Sequence, residues 1–244
     1  MKIFLIVLLL LIILSVIPLV SGQAQWGRDF RTADRSSIGL APAPSEMREA
    51  VVQVYGARAL RWRGIFGVHC WIATKPQDAE EYYVHHVIGW RLYRNMPVVV
   101  SGPGIPDGRW FGNEPILIGE LRGEKAAQAI PKILEAVASY PYPDEYNLWP
   151  GPNSNTFVAY VGKQVPELRM DLPPTAIGKD YPINGSILDR APSGTGYQLS
   201  MLGVLGVTLA AQEGIELNLL GLSFGVDLFK PAIKLPFVGR IGMQ

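Results

Sequence analysis

Gly64-Ile-Phe-Gly-Val-His-Cys-Trp-Ile-Ala-Thr74 is the stretch on which the fold turns. It is bounded by glycine, too short for a core helix, and rich in β-branched and aromatic residues, so it reads as a strand. Ala50–Leu60 before it and Tyr82–Tyr93 after it have the same character, and residues 98–101 continue the series. Successive strand-like runs with short breaks predict an antiparallel sheet. Gly102–Gly112 is turn-rich, with Pro-Asp-Gly at 106–108.

Helical periodicity then takes over. In Glu124–Tyr140 the residues Ala126, Ala129, Ile130, Ile133 and Val137 fall on one side. Pro131 predicts a kink or a second start, and Pro141-Tyr-Pro143 ends the helix. A shorter helix is expected over Ser154–Val165, stopped by Pro166. Tyr197–Leu209 and Ile215–Leu228, joined by Ala-Gln-Glu-Gly, read as a C-terminal β-hairpin with apolar residues on both faces. Such a hairpin is expected to be largely buried, against the domain or against lipid. The class is therefore α+β, an antiparallel sheet with a few helices.

The 244 residues are 48% hydrophobic, enough for one ordinary domain with its own core. Lys and Arg number 22 against 21 Asp and Glu, with no basic run, which excludes nucleic acid as an expected partner. The single cysteine, Cys70, rules out an intramolecular disulfide and a cysteine-rich metal site. It reads as a small core residue.

Residues 3–20 are apolar except for Ser15, with Pro18 near the end. Eighteen residues at about 1.5 Å each span about 27 Å, close to the hydrocarbon thickness. The run reads as an uncleaved anchor. Cleavage after Gly22 or Ala24 is the alternative. Leu19-Val20-Ser21-Gly22 approaches a lipobox, but Gln23 stands where the lipidated cysteine would be. Arg28, Arg31 and Arg35 argue for a cytoplasmic body by the positive-inside rule. The signal-like leader argues for translocation, and an inner-membrane protein with its body on the periplasmic side is the expectation. The organisation predicted is an anchor or signal over 1–24, a polar tether over 25–46 with Pro42 and Pro44, and a single domain over 47–244.

Three histidines, His69, His85 and His86, lie on neighbouring strands. His69 and His86 share an expected face with apolar residues, while His85 points the other way. A third metal ligand with clear spacing is missing, so neither a metal nor a cofactor is expected. Ser154 sits where the Pro/Gly loop 149–153 runs into a helix. There a hydroxyl meets the positive end of the helix dipole and free N–H groups. The plain alternative is that Asn153, Ser154 and Asn155 only cap the helix. Gly221-Leu-Ser-Phe-Gly225 matches a nucleophile-elbow pattern, but it reads as continuous strand and no histidine follows residue 86.

Four segments, Arg63–Ile72, Pro106–Gly112, Trp149–Phe157 and Asp171–Asp180, resemble an uncharacterised bacterial family, domain of unknown function 3750, over most of residues 35–244. More remotely, Val68-His69-Cys-Trp-Ile72, then His86, then Asn153-Ser-Asn-Thr-Phe157 are similar to the circularly permuted papain-like proteins, the cell-wall peptidases and lecithin:retinol acyltransferases. That resemblance implies a permuted papain-like core over about residues 60–165. It also implies a hydrolase or acyltransferase acting on amides or esters. Ser154 would stand at the nucleophile's place, His69 as its base, and His86 (or His85) orienting His69. Serine replaces the family's cysteine, and its hydroxyl is far harder to ionise than a thiol. A non-catalytic envelope protein binding a lipid, peptide or glycan is therefore carried beside the enzyme. So is a structural protein whose partner is membrane lipid.

Overall fold

The computed structural model describes residues 2–22 and 29–243, with side chains for all of these except 2–8, 10, 11 and 184. Residues 2–20 form helix α1. The expected anchor, residues 3–20, lies within this helix, with the side chains of 3–8, 10 and 11 outside the described residues; of the alternative cleavage sites, Gly22 is described and Ala24 is not. Among the described residues no helix is long and apolar enough to cross a membrane.

The body is α+β with two antiparallel sheets. The first comprises β1 (Val51–Arg58), β2 (Val68–Lys75), β3 (Tyr83–Val87), β4 (Val99–Pro103) and β5 (Ile116–Arg122). Their order is β4-β3-β2-β1-β5. The expected second strand begins late, because Arg63–Phe66 is a single helical turn, α2, ended by Gly67. The expected third strand stops at Val87, and Gly89–Arg94 turns into a 3-10 segment. Strand β5 was not expected. It follows Pro115 and closes the sheet by pairing with β1, Val52 opposite Leu121.

Helix α3 (Gly123–Ala138) and helix α4 (Ser154–Gln164) cover one face of this sheet. Cys70 and Ile72 of β2 pack there with Ile133 of α3 and Phe157, Val158 and Val161 of α4. The opposite face carries Tyr55, Trp71, Ala73 and Tyr82, with Trp110 and Met47 against them. Pro131 lies inside α3 without ending it. Its side of the helix is exposed, so water can take up the carbonyl four residues back that lost its N–H partner.

The expected C-terminal hairpin is four strands of a seven-stranded meander: β6 (Leu188–Arg190), β7 (Gly196–Met201), β8 (Leu205–Ala210), β9 (Gly214–Leu219), β10 (Leu222–Asp227), β11 (Ala232–Leu235) and β12 (Gly239–Gly242). Its polarity is inverted. Residues facing the body include Gln198, Ser200, Thr208, Glu216, Asn218 and Lys234, all buried. The cross-strand registers put apolar side chains on the other face. Tyr197, Leu209, Ile215, Val226, Ile233 and Ile241 form one row. Leu188, Leu199, Val207, Leu217 and Phe224 form the next. Both rows are largely open to solvent, with Leu217 48% exposed at the centre. The burial expected from the sequence is thus not met within one chain. The glycines and alanines of the inner face, Gly206, Ala210 and Gly225, made a strictly two-faced sheet read as apolar on both sides.

Much of the polar inner face is bonded to the segment 171–181, whereas both polar side-chain atoms of Gln198 are buried with no hydrogen-bond partner among the described residues. Lys179 and Lys234 both bond Glu216, the latter at 2.9 Å, and Lys234 also reaches Asp171 at 2.6 Å. Arg240 extends the chain to Asp171 and to Asp227 at 2.7 Å. Burial pushes the Glu216 carboxyl up, but the two ammonium groups outweigh it and hold the group below the ordinary carboxylate range. Asp180 takes a bond from Asn218 at 2.6 Å.

Candidate functional site

Of the residues singled out in the sequence, His69 and Ser154 line one cleft of about 700 Å³ at the end of β2 nearest α4, and His86 stands behind His69. His69 comes from β2, Ser154 and Asn155 from the start of α4, and the walls are aromatic: Trp62, Trp90, Trp110 and Trp149, with Tyr93 and Tyr146. Trp90 and Trp149 keep about half of their surface open, 49% and 51%.

The α4 end of the cleft is fixed by Asn153. Its side-chain oxygen accepts from Asn155 N at 2.9 Å and Thr156 N at 3.3 Å, while Thr156 Oγ1 accepts from Asn153 N, a complete capping box. Asn153 Nδ2 donates to the carbonyls of Leu148 and Ile177. Gly178 lies against this amide with φ +95°, and a Cβ there would come within 2.4 Å of Nδ2. Asn155 Nδ2 donates to Val68 O and Ile177 O, which ties the helix to the start of β2. Its Oδ1 is buried without a hydrogen-bond partner among the described residues. The capping is therefore done by Asn153. Ser154 is the first helical residue, and its hydroxyl makes no hydrogen bond among the described residues.

His69 is held differently. Its ring stacks on Trp110 at 3.7 Å between centroids, nearly parallel at 12°, and its Nε2 lies 3.4 Å from His86 Nδ1. Burial drives the His69 imidazole well below its ordinary value, and neighbouring His86 adds to this. Burial likewise takes His86 down to about 4, helped by His85 and Arg91. Both rings are neutral at pH 7 and can share one N–H. His85 lies on the other face, opposite Ile72, between Thr74 Oγ1 at 2.9 Å and Ser101 Oγ at 2.7 Å.

The structure thus brings His69 and His86 together, as the strand register suggested. It does not join Ser154 to His69 by a hydrogen bond. Alternation along β2 sends Cys70 toward α4 and His69 to the opposite face with Trp71. The two side chains reach the cleft from opposite faces of the sheet. Ser223 of the elbow-like motif is buried within β10, 3.4 Å from Asp180 Oδ2. Among the described residues no group of three or more His, Cys, Asp or Glu is placed to hold a metal ion. The aromatic wall was not foreseen. The one signal available was tryptophan itself, six residues in 244.

This chain belongs to the family described as proteins of unknown function, DUF3750, whose family model matches residues 49–181. The match covers the first sheet, α3, α4 and the segment bonded to the inner face of the second sheet. It is shorter than the span of 35–244 expected from the motifs, and the second sheet lies outside it. No curated protein and no solved structure matches the chain, so the resemblance to the permuted papain-like proteins gains no support from them.

Proposed function

We propose that this is a membrane-anchored envelope protein that binds a glycan in the aromatic cleft without acting on it chemically. The observation that carries the reading is the lining: broad, half-open indole faces of Trp90 and Trp149 beside a neutral polar group, Ser154 Oγ, that makes no hydrogen bond among the described residues. A purely apolar ligand would leave that hydroxyl unsatisfied. An anionic peptide would find only Arg63 as a cleft cation. A sugar ring has apolar faces to stack on indole and hydroxyls at its edge, so it uses both features.

Tryptophan fluorescence titrated with soluble N-acetylglucosamine oligomers tests this. Saturable quenching is expected, weakened about tenfold by Trp90→Ala, the upper end of what one stacking contact supplies. Binding of fatty acid but of no oligosaccharide would sink the proposal.

One observation keeps an enzyme reading in play. The Ser154 hydroxyl is unbonded at the first position of α4, and among the described residues its own N–H is the one first-turn amide left open to an oxyanion, since Asn155 N and Thr156 N are held by the Asn153 side chain. In that reading Ser154 attacks an ester or amide, and His69, backed by His86, moves round the end of β2 to take its proton. A fluorophosphonate probe separates the two. Labelling abolished by Ser154→Ala supports the enzyme, and an unlabelled protein that binds oligosaccharide rejects it.

A further inference from the structure

We infer that the outer face of the second sheet is a self-association surface, on which a second copy of this chain packs face to face as a two-fold sandwich. The proposal is independent of the cleft, which lies on the first sheet. Thirteen large apolar side chains stand exposed on that face. At about 80 Å² each they make on the order of 1,000 Å² of contiguous apolar surface, beyond the few hundred Å² typical of monomers. A stable interface needs roughly 800 Å² per partner, so the face is large enough by itself. It is also the right shape. The outer rows of two such antiparallel sheets interdigitate at about 10 Å separation.

Charge favours a protein partner over lipid. The cross-strand registers put one charged residue on the outer face, Arg190, and it sits on edge strand β6 beside Tyr197. Surfaces that lie on bilayers are usually rich in Lys and Arg on their polar side, and this face has no such ring. Sinking the face into lipid would also take the open edges of β6 and β12 out of water, with no partner for their N–H and C=O groups. In a sandwich both edges stay at the wet rim. The net charge of +1 puts no barrier between copies.

The test uses the full chain in its native membrane and in mild detergent. Leu217 lies on β9, the middle strand of seven. Cys70, the one native cysteine, is fully buried. A short bis-maleimide should therefore join two copies of Leu217→Cys into a covalent dimer, and should not join Lys230→Cys at a strand-turn tip. Sedimentation in density-matched detergent should give a dimer for the native chain. The double variant Val207→Lys, Leu217→Asp, which puts opposite charges on directly facing positions, should be monomeric and still melt cooperatively, because both sites are open in the single chain. Three results overturn the proposal. One is labelling of Leu217→Cys by a lipid-partitioning probe without cross-linking, which means the face meets bilayer. Another is protection from every reagent without cross-linking, which means another segment or protein covers it. The third is a native chain that sediments as a monomer.

Discussion

Replacing Glu216 by Gln should destabilise the fold by about 3 kcal/mol, the lower end of what removing one partner of a buried ion pair costs. Glu216 is the shared acceptor of Lys179 and Lys234, and all three are at most 2% exposed. The neutral amide leaves two buried ammonium groups short of a counter-charge. The loss is held to the lower end because each lysine keeps a second carboxylate, Asp180 at 3.7 Å for Lys179 and Asp171 at 2.6 Å for Lys234. In a domain of this size 1 kcal/mol moves the melting temperature by about 2–4 °C, so a fall of roughly 6–12 °C is expected by near-ultraviolet circular dichroism. In a Lys179→Met, Lys234→Met background the same Glu216→Gln change should cost much less, since no ammonium remains to strand. A fall below about 2 °C in the native background would refute the reasoning. It would mean that water, or rearrangement of the strands, satisfies the lysines.

Asn153→Ala removes the cap of α4 and takes the side-chain donor from the Leu148 carbonyl, while Ile177 O keeps Asn155 Nδ2, and should cost about 2 kcal/mol in chemical denaturation, the upper end of the usual 0.5–2 for a cap. Gly178→Ala should be at least as harmful. It forces a side chain into a left-handed φ and against the Asn153 amide, which the thermal melt would report. His86 has a folded pKa near 4 against an ordinary 6.5, so the unfolded chain binds a proton that the folded chain refuses. Its contribution to stability is full above pH 6.5 and is lost as pH falls toward 4. The melting-temperature difference between the native chain and His86→Gln should shrink or reverse over that interval, and a difference constant from pH 7 to 4 would refute the burial argument.

The first four strands were legible because β-branched and aromatic residues crowd Val51–Arg58 and Val68–Lys75. Strand β5 was not, because Gly119, Glu120 and Arg122 interrupt the pattern, and what secures it is pairing with a strand more than sixty residues earlier. The His69–His86 contact could be read from neighbouring antiparallel strands. The cleft could not. Trp62, Trp90, Trp110 and Trp149 come from separate segments whose approach is a tertiary fact. The inversion of the second sheet was written in the alternation of residues 197–226, but the usual rule that apolar residues turn inward assigns the wrong side.

The end of the family match at residue 181 has an evolutionary consequence. Lys179 and Asp180, among the last matched residues, find their counter-charge and amide partner in Glu216 and Asn218, beyond the match. Shared ancestry as far as it is recognisable and mechanical self-sufficiency therefore stop at different places. A homologue that kept the matched stretch but acquired an unrelated tail would inherit a desolvated ammonium with its main anion missing. Descent would have to replace residue 179 or reinvent an acid from the new tail, so the identity of that residue should track the kind of tail each lineage carries.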